Sequence, residues 1–291
     1  MIKKRNIILI LSLTLLLTNI LSVYSQKPNP TQKKKLKIYM LTDLEGAAGV
    51  VTFQNHSYST GKYYEQSKNL FTKELNAAVE GALDAGATEI VIWDGHGSGG
   101  INFELIHPEA KVIMGSGGLL GLDESFDAML IIGQHAMSNT PNGNLAHSYS
   151  SRTIENIFLN GKPIGETGIR VILASYYNIP TVFLSGDKAA CDEFLKYVTN
   201  GEVAPVKIGF GLNVALNLSP VKARELIKEK VKKSLLKIHE IKKYWVPPPY
   251  ELVIEYKTKN SADNRAKNPD WEKIDELKVI KKADDYLKIA W

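Results

Sequence analysis

The sequence is nearly without cysteine. Its 291 residues contain one, Cys191, which excludes an intrachain disulfide and any cysteine-held zinc or iron–sulfur cluster. A bound metal would have to be held by His, Asp and Glu. Long hydrophobic runs are also missing: the most apolar segment, residues 7–17, is too short and too abruptly ended for a membrane-spanning helix. No G-x-S-x-G nucleophile elbow and no internal repeat occur. Neither charge sign dominates, with 36 Lys and Arg against 31 Asp and Glu, a formal net charge of +5. A composition 44% hydrophobic and 23% charged excludes a disordered, collagen-like or multi-span membrane protein and provides for a sizeable core.

The N-terminus has the layout of an export signal. Lys3, Lys4 and Arg5 precede the apolar run, and Val23-Tyr24-Ser25 offers residues that a signal peptidase tolerates. Residues 1–25 read as a cleaved leader, with an uncleaved anchor through Leu21 as the alternative; a periplasmic or secreted protein without stable membrane association is expected. Residues 26–35 are polar, carry Pro28, Pro30 and a lysine cluster, and read as a tether. Removing the leader subtracts three basic residues and no acid, leaving 33 against 31 and a net charge of +2. The basic surplus that would suggest a nucleic-acid partner then largely vanishes.

From Lys35 onward, short apolar runs alternate with helical stretches. Strands are expected at 37–41, 89–93, 111–114, 128–132 and 181–184, and helices at 63–85, 166–177 and 188–198. This alternation predicts an α/β fold, a three-layer sandwich on a mostly parallel sheet, over residues 36–215. Asn160-Gly161 reads as a hairpin turn inserted in that core. Residues 216–291 read as a C-terminal extension of helix and strand. Ser219 caps and Pro220 opens an expected helix to Lys243, with Ile227, Val231, Leu235 and Ile238 on one face and nine Lys or Arg against three Glu elsewhere. A solvated face is the ordinary meaning of such a surplus, and no aromatic residues interleave with it to stack on bases. A strand is expected at 250–256, after Pro247-Pro248-Pro249.

The chemistry gathers where the strands stop, which is where α/β sheets bind ligands. The first strand ends in Thr42-Asp43-Leu44-Glu45-Gly46, and residues two apart on an extended segment point the same way, so Asp43 and Glu45 can address one point. The second ends in Asp94-Gly95-His96-Gly97 and the third in Gly133-Gln134-His135. Glu166, amid glycines at a helix start, is a fifth candidate, although there it can simply complement the helix dipole. Singly, a strand-end Asp is usually a turn residue and a lone His a hydrogen-bonded structural group. Together, Asp43, Glu45, His96, His135 and Glu166 form the donor set that a divalent cation needs without thiolates, and bridging carboxylates with terminal imidazoles suit two metals better than one. His147 lies in a polar loop and follows no strand; it can shuttle a proton, or be an exposed loop histidine. His56, His107 and His239 show no partner pattern.

Asp43-Leu44-Glu45-Gly46, Asp94-Gly95-His96, Gly133-Gln134-His135-Ala136, His147-Ser148 and Gly165-Glu166-Thr167-Gly168 stand in the order and approximate spacing of the zinc-dependent D-aminopeptidase family, peptidase family M55. The sequence resembles that family over roughly residues 36–240. The resemblance implies a metallo-aminopeptidase that releases N-terminal D-residues such as D-alanine from short peptides, with two zinc ions (Zn2+) per chain. It also implies a homo-oligomer, a decamer of stacked five-fold rings. Carried over by motif, the metal ligands are Asp43, Glu45, His96, His135 and Glu166, with Asp43 the bridge; His147 is the catalytic histidine, as nucleophile or as acid–base; Asp94 stands beside the metal site. The family's type enzyme is cytoplasmic, whereas this chain carries an export signal, so peptidoglycan-derived D-alanyl peptides are the expected substrates.

Three other readings compete. His96-Gly97-Ser98-Gly99-Gly100 resembles the oxyanion-hole loop of serine esterases, but the nucleophile elbow is missing. The same glycines follow a strand as a nucleotide-binding loop would, without opening a helix that has an acidic residue properly placed after it. An exported metal- or peptide-binding protein without catalysis would keep the ligands and not need His147.

Overall fold

β1 (Lys37–Thr42) and β4 (Ala128–Gln134) are runs of almost wholly buried residues, the pattern of strands covered on both faces. They pair in parallel at the sheet's centre, Tyr39 opposite Met129 and Leu41 opposite Ile131. The computed structural model describes residues 35–115 and 121–289, so the expected leader and all of the expected tether but Lys35 lie outside the described residues. β2 (Glu89–Asp94) and β3 (Ala110–Ile113) extend the sheet beyond β1, and β7 (Thr181–Asp187), β8 (Glu202–Gly211) and β9 (Val214–Asn217) extend it beyond β4. The order is β3-β2-β1-β4-β7-β8-β9, parallel except for the β8–β9 hairpin.

The chain leaves β1 toward β2 on one side and β4 toward β7 on the other. Right-handed crossovers therefore put helices on opposite faces. α1 (Tyr64–Asp84) covers one face, and α2 (Glu166–Tyr176) and α3 (Lys188–Tyr197) cover the other. α4 (Pro220–Leu236) packs on α1 and β8, burying Ile227, Val231 and Leu235. Helix, sheet and helix make three layers. The strand order reverses between β1 and β4, and a ligand crevice opens at the carboxyl ends of strands at such a point.

A second sheet is antiparallel, in the order β11-β12-β10-β5-β6. β5 (Ile154–Leu159) and β6 (Lys162–Pro163) meet at Asn160-Gly161, both at positive φ, as a two-residue hairpin requires. The turn expected in the core thus belongs to this sheet. β10 (Tyr250–Tyr256), β11 (Glu272–Lys273) and β12 (Lys278–Ala283) complete it, and β10 alternates buried with more exposed residues because only one face meets the core. α5 (Lys259–Ala266) follows β10, and α6 (Tyr286–Ile289) docks through the Tyr286 hydroxyl, which donates to the Ile169 carbonyl of α2 at 2.9 Å.

Three expectations change. The helix expected from Ser219 to Lys243 ends at Leu236 and gives way to a 3₁₀ turn over Ile238–Glu240, where the Asn200 side chain donates to the Glu240 carbonyl and the chain turns to bury Ile241. β8 and β9 lie where no strand was expected; Pro205, Lys207 and two glycines disguise β8, yet Lys207 is a buried interior position. The 215/216 boundary falls inside β9, and β5 pairs with β10 from beyond that boundary.

Candidate metal centre and active site

β1 and β4 end side by side, and their loops cross at very close range. A Cβ at Gly133 would lie 2.1 Å from the Asp43 carbonyl oxygen, and one at Gly46 would lie 2.2 Å from that of Gln134, so both positions require glycine. This approach brings Asp43 and Glu45, after β1, against His135, after β4. His96 arrives from the end of β2, and Glu166 from the first turn of α2. His147 comes from the long β4–β5 connection, whose backbone folds back so that its amide donates to the Ala136 carbonyl at 3.1 Å. All six side chains are buried or nearly so, around a cavity of about 680 Å³ that Asp43, Glu45, His96, His147 and Glu166 line directly.

Each of the three imidazoles has one ring nitrogen against a backbone carbonyl. His96 Nε2 faces Ser57 O at 3.0 Å, His135 Nδ1 faces Ala136 O at 2.9 Å, and His147 Nδ1 faces Leu145 O at 2.8 Å. A carbonyl only accepts, so these nitrogens carry the proton and the other nitrogen of each ring is left for the site, the usual arrangement of metal-binding histidines. His96 Nδ1 lies 3.0 Å from Glu45 Oε2 and 3.4 Å from Asp43 Oδ1. His135 Nε2 lies 3.3 Å from both Asp43 Oδ2 and Glu166 Oε1, and makes no hydrogen bond among the described residues although it is fully buried.

A buried ring nitrogen without a hydrogen-bond partner is costly unless something binds it. Two groups of ligand atoms, Asp43–Glu45–His135 and His135–His147–Glu166, each lie within 4.8 Å of one another and share His135. The nitrogen and oxygen donors fit a borderline divalent cation such as zinc. His147, expected outside the ligand set, stands close enough to belong to the second group, its ring stacked on His135 with centroids 3.8 Å apart.

The electrostatics agree with a cation site. Burial alone would raise the Asp43 pKa, but the His135 and His96 imidazoles against it hold it well below the usual carboxylate range. Glu166 is likewise opposed by burial but pulled down to about 2, chiefly by Arg170, whose guanidinium contacts it at 2.8 Å. Burial works to lower His96 and His135, but the carboxylates around them raise both well above the ordinary imidazole value. They are held protonated where a divalent cation would take the proton's place. His147 goes the other way, pushed down by burial and by His135, and stays neutral.

Several functional side chains escaped the sequence reading. Arg170 also donates to Gln134 Oε1 at 2.9 Å, and only its spacing of four residues from Glu166 could have signalled it. Ser57 donates to Glu45 Oε1 at 2.5 Å from a loop with no motif. The Lys207 ammonium reaches from β8 to the carbonyls of Glu45 and Val50 and pins the ligand loop. Asp94, by contrast, was expected beside the metal site; it uses its carboxylate to accept from the amides of Gly100 at 2.9 Å and Ile101 at 3.3 Å, shaping the glycine loop. Ser98 makes no hydrogen bond to an imidazole among the described residues, and both nitrogens of His96 are engaged elsewhere, so the esterase reading lacks its base. His56 bonds the Thr52 hydroxyl, and His107 caps the Glu109 amide.

Comparison with known proteins agrees with this geometry. A family model described as Peptidase_M55, D-aminopeptidase, matches residues 36–290. A curated D-aminopeptidase of Bacillus subtilis is 31% identical over 235 residues, covering 78% of this chain and 84% of the relative. A solved structure described as the Zn-dependent D-aminopeptidase DppA from Bacillus subtilis, a self-compartmentalizing protease, matches with a TM-score of 0.82 at 29% identity, over 87% of this chain and 93% of that one. With a match that runs through both sheets and every residue of the cluster, the chain belongs to the D-aminopeptidase family of metallopeptidases, Peptidase_M55.

Proposed function

We propose that the protein is an exported aminopeptidase that releases N-terminal D-residues, D-alanine foremost, from short peptides, and that it uses two zinc ions per chain. The observation that carries this reading is the Asp43 carboxylate between two imidazoles, one oxygen 3.4 Å from His96 Nδ1 and the other 3.3 Å from His135 Nε2, with Glu45 beside the first ring and Glu166 beside the second. Asp43, Glu45, His96, His135 and Glu166 would hold the metals, with Asp43, flanked by two imidazoles, as the bridge. When bound, two such cations supply Lewis acidity for the scissile carbonyl and acidify water to a nucleophile near neutral pH.

The chain's own residues do the rest. Neutral His147, held by its bond to Leu145 O, has one nitrogen free to take a proton from the attacking water and return it to the leaving amine. Arg170 keeps Glu166 ionised and aimed, and the Ser57 hydroxyl fixes the position of one oxygen of Glu45. Preference for D-residues is supported by the family and by the name of the curated relative, not by the ligand set, which does not read chirality.

Self-association is supported by an apolar face. Phe210, Leu212, Val214 and Leu216 stand exposed along β8 and β9, with β9 at the open edge of the large sheet, and a monomer seldom leaves such an edge bare. A second copy of the chain is the proposed occupant, in line with the self-compartmentalizing relative. Much of the lysine surplus of α4 and its C-terminal cap is paired: Lys230, Lys233 and Lys237 converge on Glu202, and Lys228 on Glu80 and Asp84. Export rests on the composition of residues 1–25, and N-terminal sequencing of the secreted protein should begin at Gln26.

The direct test compares hydrolysis of D-Ala-D-Ala with that of L-Ala-L-Ala by the zinc-loaded protein. The reading expects D-alanine release at least about 100-fold faster, a difference of roughly 2.7 kcal/mol in transition-state binding. Equal rates, or hydrolysis of the L-peptide alone, would overturn it.

A further inference from the structure

We propose that Arg152 forms a carboxylate subsite on the outer wall of the active-site cavity, occupied by the free C-terminal carboxylate of a short peptide substrate. The inference rests on the aminopeptidase reading and names the substrate class that such a site selects. Among the described residues, two guanidinium groups line the cavity. Arg170 is committed to Glu166 and Gln134. Arg152 has no carboxylate partner among the described residues, although it shares the cavity with four acidic side chains, Asp43, Glu45, Asp94 and Glu166.

Arg152 is nevertheless held in place. Its guanidinium carbon lies 4.1 Å over the ring of Tyr58, whose hydroxyl is 3.1 Å from Ser151 Oγ. Stacking fixes the plane of a guanidinium while leaving its N–H edge free, the arrangement that receives a planar carboxylate with two parallel hydrogen bonds. Tyr58 in turn stacks on Phe53, and Phe53 meets His147 edge-on.

This aromatic wall measures the cavity. The contacts from His147 to Phe53, Phe53 to Tyr58 and Tyr58 to Arg152 span 5.3, 5.7 and 4.1 Å, bounding the distance from catalytic imidazole to guanidinium at about 15 Å. An extended peptide advances about 3.3–3.6 Å per residue, so a chain of two to four residues with its first peptide bond at the metals places its C-terminus at Arg152. A longer peptide presents a neutral amide there instead. Aminopeptidase action requires a free amino end, and Arg152 rewards a nearby carboxyl end.

The experiment measures kcat/KM of the zinc-loaded full-length protein for D-Ala-Gly, D-Ala-Gly-Gly and D-Ala-Gly-Gly-Gly, each as free acid and as C-terminal amide. At one of these lengths the acid should be favoured about tenfold, the worth of one charge-assisted pair in a partly solvated site. Arg152→Met should raise KM for that acid until it matches its amide, with zinc content unchanged, and Arg152→Lys should retain part of the preference. An acid-to-amide ratio near one at every length in the wild-type protein, or a ratio that survives in Arg152→Met, refutes the subsite while leaving the aminopeptidase reading intact. Hydrolysis of none of the six peptides by the wild-type protein overturns that reading and the subsite with it.

Discussion

Replacing Lys207 with Met should damage both the fold and the metal site, although Lys207 is no candidate ligand. The residue is 1% exposed and its ammonium donates to the carbonyls of Glu45 and Val50, the latter at 2.5 Å; neither carbonyl has another donor among the described residues. Burial pushes its pKa down to about 8, while Asp187, Glu45 and Glu74 nearby favour the charge. Holding the charge therefore costs about 3 kcal/mol, against two charge-assisted bonds worth about 1.5–3 kcal/mol each. The lysine's net contribution is then about 0–3 kcal/mol. Its removal leaves two buried carbonyls without donors, at about 1–3 kcal/mol each. A loss of about 3 kcal/mol is expected in urea unfolding. The freed segment carries Asp43 and Glu45, so zinc should dissociate at least about tenfold more readily, a change of about 1.4 kcal/mol. Lys228→Met, which breaks only the exposed pairs with Glu80 at 2.9 Å and Asp84 at 3.7 Å, should cost less than about 1 kcal/mol and leave zinc affinity alone. If Lys207→Met unfolds within about 0.5 kcal/mol of wild type and binds zinc equally well, the strap from β8 to the ligand loop has no mechanical role.

Three further outcomes follow from the geometry. His147→Gln should lower kcat by about 10²–10⁴ with zinc content unchanged if the imidazole moves protons; a fall to one zinc would place it instead among the ligands with His135 and Glu166. Asp43→Asn should keep the far-ultraviolet circular dichroism of the native protein but reduce bound zinc below one per chain, since Asp43 faces both His96 and His135; full zinc occupancy would exclude it as the bridge. Glu193 is buried with its pKa raised to about 7, one oxygen accepting from the Met137 amide and the other unpartnered. A raised folded-state value means that its stabilisation is complete below about pH 4.5 and is lost as pH rises through 7, at most about 3 kcal/mol. Glu193→Gln keeps an acceptor for Met137 without a charge, so melting temperatures from pH 5.5 to 8.5 should fall less in the variant than in wild type; parallel curves would contradict the assignment.

Much of this site was legible because its chemistry follows strand ends. Asp43, Glu45, His96 and His135 each stand directly after an apolar run, and a parallel sheet brings such positions to one edge. The order of β1 and β4 could not be read in the same way: their adjacency depends on crossover direction, which no local pattern encodes. Lys207 is the opposite case. A lysine in a ten-residue segment with a proline and two glycines gives neither strand periodicity nor any sign of burial, and its role exists only because a loop 162 residues earlier offers carbonyls to it. Arg170 lies between these extremes, one helical turn from Glu166, yet an i, i+4 pair is usually a surface ornament and only burial makes this one decisive.

The central claim is a two-metal hydrolytic site, and metal analysis of the purified protein tied to activity tests it most directly. Such a site should yield two zinc ions per chain, lose D-alanine release from D-alanyl peptides on chelation, and recover it on adding zinc back. Fewer than one divalent ion per chain after zinc loading, or hydrolysis that resists chelation, would contradict it.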